Sequence, residues 1–216
     1  MPPSQGENRG CESRAGYQFV NIVEQYTELN NSYDLTDESV VVDVGGYTGD
    51  WSRKILARHN PKVLHLFAPV PWFMTWCRFR LIKHPQVVFH QCAIDEKDGE
   101  RSIRVDRDAT SMFYRPHETV SAPTTSIKTI SVPTFLAMLP KTVHLLALNA
   151  EGAEFHILEY LIATGEVRRF RDILVQFHSF VPGSKDREEA IHKALRKTHT
   201  LTYEWQTVWE NWRLNS

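Results

Sequence analysis

Short runs that are apolar at nearly every position alternate along the chain with longer segments whose apolar residues recur every three or four. VVVDV (40–44), VLHLFA (63–68), VVFHQCAI (87–94), VHLLALNA (143–150) and ILVQFHSF (173–180) are of the first kind. Such β-branched and aliphatic runs predict strands buried on both faces, as in a parallel sheet. Between them, residues 50–59, 72–84, 153–165 and 188–198 carry helical spacing, and Gly165 is placed to stop the third of these helices. The tail HTLTYEWQTVWENWRLN (199–215) alternates like an antiparallel hairpin. A short helix is expected within 129–139 and an added strand at 102–107.

Strands alternating with helices predict an α/β fold, a doubly wound and mostly parallel sheet with antiparallel C-terminal strands. Residues 1–14, rich in Pro, Gly, Ser and charge, read as a flexible arm. Residues 15–216 read as a single domain, opening with a helix over 17–29. In such sheets ligands sit beyond the carboxyl ends of the strands, at the topological switch point. The residues that follow each strand are therefore the ones to inspect.

Composition narrows the function classes. The 216 residues carry a formal net charge of -1, so the chain as a whole has no pull towards nucleic acid or an anionic membrane. Cys11, Cys77 and Cys92 form no CxxC pair, and their odd number argues for a reducing compartment, read here as cytoplasmic. The N-terminal residues lack the apolar core of a signal peptide, and no window of about 18 apolar residues predicts a membrane span. Trp72, Phe73, Trp76 and Phe79 share a segment with Arg78, Arg80 and Lys83. The preferred reading is a core helix with a solvated basic face, ahead of a surface that stacks bases or sugars. Arg168 to Arg171 likewise read as a helix-end charge cluster.

VVVDVGGYTGDWS (40–52) is a strand, a glycine turn and a helix start. Gly45 and Gly46 allow positive φ and close approach of a ligand, and the helix start offers N–H groups to an anion or carboxylate. Asp43 stands just ahead of the turn. The spacing Asp43-x-Gly45-x-x-x-Gly49 does not match the GxGxxG of dinucleotide sites. It resembles motif I of methyltransferases that use S-adenosylmethionine (SAM). LHLFAPVP (64–71), FHQCAIDEKDGE (89–100), TISVPTFL (129–136) and LALNAEGAEFHILE (146–159) then follow in the order and approximate spacing of the FkbM family of methyltransferases. The resemblance covers roughly residues 36–180. It implies a class I methyltransferase, Rossmann-like fold, SAM as cofactor, and O-methylation of a hydroxyl on a sugar or glycan acceptor.

By that resemblance SAM is expected against Asp43, Gly45, Gly46, Tyr47, Gly49, Trp51 and Ser52, and against Phe67 and Ala68. Ala93, Ile94 and Asp95 are expected beside the adenine, with Ser111 near the cofactor. Two positions depart from the family pattern. Ala68 stands where an acid usually takes both ribose hydroxyls, a loss of about 1.5–3 kcal/mol for charged hydrogen bonds to a buried ligand. Ala147 stands where lysine is usual, and Asn149 replaces aspartate.

Methyl transfer to a hydroxyl needs alignment and a base for the proton. His178, at the end of ILVQFH, is the leading base candidate. Glu151 serves as base, as substrate orienter or as a helix-start charge, Asn149 completes the set, and Glu154 reads as structural. Magnesium favours carboxylates and Asn149 removes one, so no metal is expected. The SMFYRPHE loop (111–118) or Trp205, Trp209 and Trp212 of the tail are candidate covers for a sugar, and equally candidates for a core or a dimer contact. The rival reading is a non-catalytic, methyltransferase-shaped binding module, or an inactivated sequence, on the strength of Ala68 and Ala147. A domain cut from a longer glycan-building chain also fits.

Overall fold

The computed structural model describes residues 33–104, 124–205 and 209–216. The arm, the helix expected over 17–29, Ser111 and the 111–118 loop lie outside the described residues. All the elements below belong to the unit Leu35–Ser216.

In chain order they are β1 (Val40–Val44), α1 (Asp50–His59), β2 (Val63–Phe67), α2 (Pro71–Arg80), β3 (Val87–His90), β4 (Ala93–Asp95), β5 (Gly99–Arg104), β6 (Thr124–Ser131) and α3 (Val132–Ala137). There follow β7 (Val143–Leu148), α4 (Ala153–Thr164), a 3-10 turn (Glu166–Arg169), β8 (Phe170–Gln176), α5 (Ser184–Leu195), β9 (His199–Trp205) and β10 (Trp209–Leu214). Seven strands make one sheet in the order β3-β2-β1-β7-β8-β10-β9. From β3 to β8 the pairs are parallel, and β10 runs antiparallel to both its neighbours. This is the doubly wound sheet with antiparallel C-terminal strands that the hydrophobic pattern predicts. No helix among the described residues is long and apolar enough to cross a membrane.

All five residues of β1 are buried, as expected of a central strand covered on both faces. The main core joins Val42, Val44, Phe67, Leu146, Leu148, Phe155, Ile173 and Trp212, so the last strand packs into the same core as the first. Gly165 ends α4 in the left-handed region at φ 77, with its N–H bonded to the Ile162 carbonyl.

Three expectations need correction. VVFHQCAI is two strands. His90 is the last residue paired with β2, and after Gln91 and Cys92 the chain leaves to pair β4 with β6 in a separate three-stranded sheet, β4-β6-β5. The strand β6, running into α3, was not expected; only Ile127, Thr129 and Ile130 of its eight residues are buried, and Thr and Ser fill most of the rest, so its pattern is weak. The third concerns α2. It buries Met74 and Cys77, with Val70 and Leu81 flanking it, and turns Trp72, Trp76 and Phe79 to solvent.

Candidate functional site

Register aligns the carboxyl ends of the central strands. Val44 pairs with Phe67 on one side and Leu148 on the other, so Gly45, Ala68 and Asn149 follow in a row across β1, β2 and β7. Chain direction reverses here, outward from β1 to β2 and β3 and then back to β7. That makes the β1/β7 crevice the topological switch point, where ligands of such sheets bind.

The glycine turn is built for closeness. Gly45 has φ 93, and a Cβ there would fall 1.8 Å from the Asn149 carbonyl oxygen. Gly46 packs against Leu66, where a Cβ would lie 2.8 Å from its side chain, and it does not adopt positive φ. That conformation passes to Tyr47 (φ 46). A non-glycine residue in the left-handed region costs about 1–2 kcal/mol, and Tyr47 is one of two such residues at the cleft. The other is Glu151 (φ 50). The Gly45 and Gly46 N–H groups both donate to the Phe67 carbonyl, at 3.0 and 3.1 Å. They fasten β1 to β2, so these two donors are used within the sheet. Gly49, at φ 81, caps the start of α1.

A cleft opens above this row. Gly45, Tyr47, Phe67, Ala68, Ala93, Ile94, Asn149 and Glu151 line it, as do Val70 and Phe73 of α2 and Ile103 and Ile127 of the small sheet. Most of the wall is apolar, with polar groups gathered at the β7 end. Asn149 Oδ1 is buried there with no hydrogen-bond partner. An orphaned acceptor of this kind carries a desolvation penalty of about 1–3 kcal/mol that a ligand donor would relieve.

The other expected cofactor residues stand outside the lining. Asp43 is buried, and the Ser52 hydroxyl donates to its Oδ2 at 2.5 Å, tying β1 to the first turn of α1. Burial pushes the Asp43 carboxyl up to about 6 against the lowering effect of that hydroxyl. Its register partner on β7 is Ala147. The lysine expected at 147 would have stood beside this carboxylate, and alanine gives it no charge. Gly46, Gly49 and Trp51 belong to the turn and the helix start. Asp95 forms an ion pair with Arg101 and accepts from the Glu96 N–H at 2.8 Å, so it braces the small sheet.

His178 lies two residues past the end of β8, buried behind the cleft wall. Its Nδ1 is 3.0 Å from Glu154 Oε1 and its Nε2 is 3.5 Å from Glu151 Oε1. Burial alone would lower its pKa; hydrogen bonds to Glu151 and Glu154 outweigh burial and raise it to about 9. At neutral pH the ring is an imidazolium with no lone pair to receive a proton. Of the two expected base candidates, Glu151 lines the cleft and His178 stands behind it. Glu154 is fully buried and accepts three N–H groups: from His178 Nδ1, from the His178 backbone and from Gly152 at 2.8 Å. It fixes the turn that carries Glu151. Among the described residues no group of three or more His, Cys, Asp or Glu is placed to hold a metal ion.

Sequence reasoning missed Val70, Phe73, Ile103 and Ile127. Val70, Ile103 and Ile127 form a small core of their own, with Phe73 and Ala93 packed against it. Contacts between α2 and a sheet formed later in the chain leave no short-range signal.

Solved structures share this fold at low identity. Methyltransferase FkbM from Methylobacillus flagellatus KT superposes with a TM-score of 0.56 at 11% identity, over 85% of this chain and 45% of that one. The chain thus spans less than half the length of that relative. A putative rRNA methylase from Clostridium thermocellum gives 0.56 at 8% identity, over 90% and 96% of the two chains. A putative methyltransferase from Streptococcus mutans, in complex with S-adenosylhomocysteine (SAH), gives 0.53 at 10%, over 88% and 94%. No protein-family model and no curated protein sequence matches the chain. The architecture is that of class I methyltransferases.

Proposed function

We propose that the chain binds SAM in the switch-point cleft and transfers its methyl group to a hydroxyl of a sugar or glycan acceptor. The observation that carries this reading is the orphaned Asn149 Oδ1 beside Glu151, at the polar end of an otherwise apolar cleft in a methyltransferase fold. The residues present fit the cofactor by chemistry. Ala93, Ile94, Phe73, Ile103 and Ile127 offer apolar surface to an adenine. Asn149 Oδ1 accepts a donor from the ligand, and Gly45 keeps the backbone clear of side chains. SAM supplies an electrophilic methyl group when bound. Glu151 is placed to take the acceptor hydroxyl's proton, held by His178 and, through the Gly152 turn, by Glu154. The rRNA methylase among the structural neighbours keeps nucleic-acid acceptors as the competing substrate class.

A second reading, a binding module of methyltransferase shape, is favoured by Ala68, which lines the cleft where an acid would hold the ribose. Calorimetric titration with SAM and SAH separates the two. On the proposal, the parent binds both, and Ala68→Glu tightens binding about ten- to a hundredfold through charged hydrogen bonds. Absence of binding by both proteins would overturn it in favour of the module.

A further inference from the structure

The outward ridge of α2 plays no part in the cleft. Trp72, Trp76 and Phe79 follow one another at helical spacing, and Ile82 continues the ridge beyond the helix. Exposure rises along it through 42%, 52%, 69% and 76%. Val88, on the edge strand β3, is exposed as well. Single exposed apolar residues are ordinary, whereas a run of them rimmed by polar groups marks an interaction surface. Residues 69–94 include Arg78, Arg80 and Lys83 and not one Asp or Glu. Asp50 of α1 neutralises Arg80 at 2.5 Å, which leaves the ridge net positive.

We propose that this ridge docks the protein on an anionic lipid surface. Phe79 and Ile82 enter the boundary between headgroups and acyl chains, and Arg78 and Lys83 sit at the level of the phosphates. Aromatic and aliphatic tips beside snorkelling cations are the pattern of interfacial helices. Three observations favour lipid over other occupants. The rings pack edge-on, Trp72 to Phe73 at 65° and Trp76 to Phe79 at 85°, so they form no series of parallel faces for successive bases. The most exposed member is aliphatic, which suits hydrocarbon and offers a base nothing. A second copy on the same face would set Arg78 and Lys83 against their own kind with no acid in 69–94 to pair them. The chain's net charge of -1 does not oppose this, because charge acts within a Debye length of about 8 Å.

The test is co-sedimentation of the full chain with vesicles of phosphatidylcholine alone and of phosphatidylcholine with phosphatidylglycerol, alongside light scattering of the free protein. Partitioning onto the anionic vesicles, with little onto the neutral ones, is expected. The Phe79→Ser/Ile82→Ser double variant should lower the partition constant at least about tenfold. Lys83→Gln should lower it about fivefold. All of these side chains are exposed, so the melting curves of the variants should match the parent and exclude misfolding. The proposal is overturned if neither vesicle type carries the protein down, or if the double variant partitions like the parent. A dimer that the double variant splits, or a single-stranded RNA complex that Trp76→Ala abolishes, in a protein that ignores both vesicles, would also overturn it and name the true occupant.

Discussion

Glu154 and Asp43 are both buried carboxylates, and their surroundings treat them in opposite ways. Glu154 accepts three N–H groups and faces an imidazolium. Asp43 has the Ser52 hydroxyl and, at 147, a methyl group where a cation would help. A pKa raised on folding gives stability that is present below the unfolded value and lost as pH climbs through the folded one. For Asp43 that loss runs from about pH 4 to about 6, and for His178 from about 6.5 to about 9. Asp43→Asn should therefore gain on the parent as pH rises from about 4 to about 6 and keep that gain above it, on the order of 1–3 kcal/mol in urea titrations at pH 7.5. His178→Gln should be less stable than the parent at pH 6, with the gap narrowing towards pH 9.5. Curves that run parallel to the parent's would remove these groups from the pH response. Neither environment was legible in the sequence. Asp43 and Ala147 are neighbours only through strand register, and a sequence separation of 24 between Glu154 and His178 carries no sign that the two touch.

At the scale of elements, two glycines with positive φ have unlike reasons for being glycine. Gly165 ends α4 with nothing within 4 Å of a would-be Cβ, whereas Gly45 would drive one into the Asn149 carbonyl at 1.8 Å. Gly165→Ala should cost about 1–2 kcal/mol, the backbone strain alone. Gly45→Ala should cost above about 3 kcal/mol, because β1 and β7 would have to part. Thermal unfolding monitored by circular dichroism ranks the two, and equal losses would refute the argument. The helix stop at Gly165 was legible because capping is local. The break after His90 was not, since no Gly or Pro interrupts VVFHQCAI and the separation depends on β6, more than 30 residues on. The faces of α2 were misread for a related reason. Val70, Met74, Cys77 and Leu81 form one apolar stripe, and Trp72, Trp76 and Phe79 form another. A helix apolar on both sides does not reveal which side the sheet will take.

The unit Leu35–Ser216 is held by a sheet whose strand order departs from sequence order at both flanks. The alternation of apolar runs and helices made the doubly wound class legible, because burial on both faces dictates composition. That alternation reaches only the class and carries no strand order, which the structure supplies. The placing of β10 between β8 and β9 is set by packing, chiefly of Trp212, which is fully buried with its Nε1 donating to Glu210 at 2.9 Å. Trp212→Ala should cost about 3–5 kcal/mol in urea denaturation, and a loss below about 1 kcal/mol would mean that the hairpin is dispensable to the core. The interior position of β10 also bears on how the protein is made. When β9 leaves the ribosome its slot in the sheet does not yet exist, because β10, which emerges after it, must lie against β8 first. Until then β8 carries an unpaired edge, and a chain cut short near residue 205 would offer that edge to chaperones or to other chains.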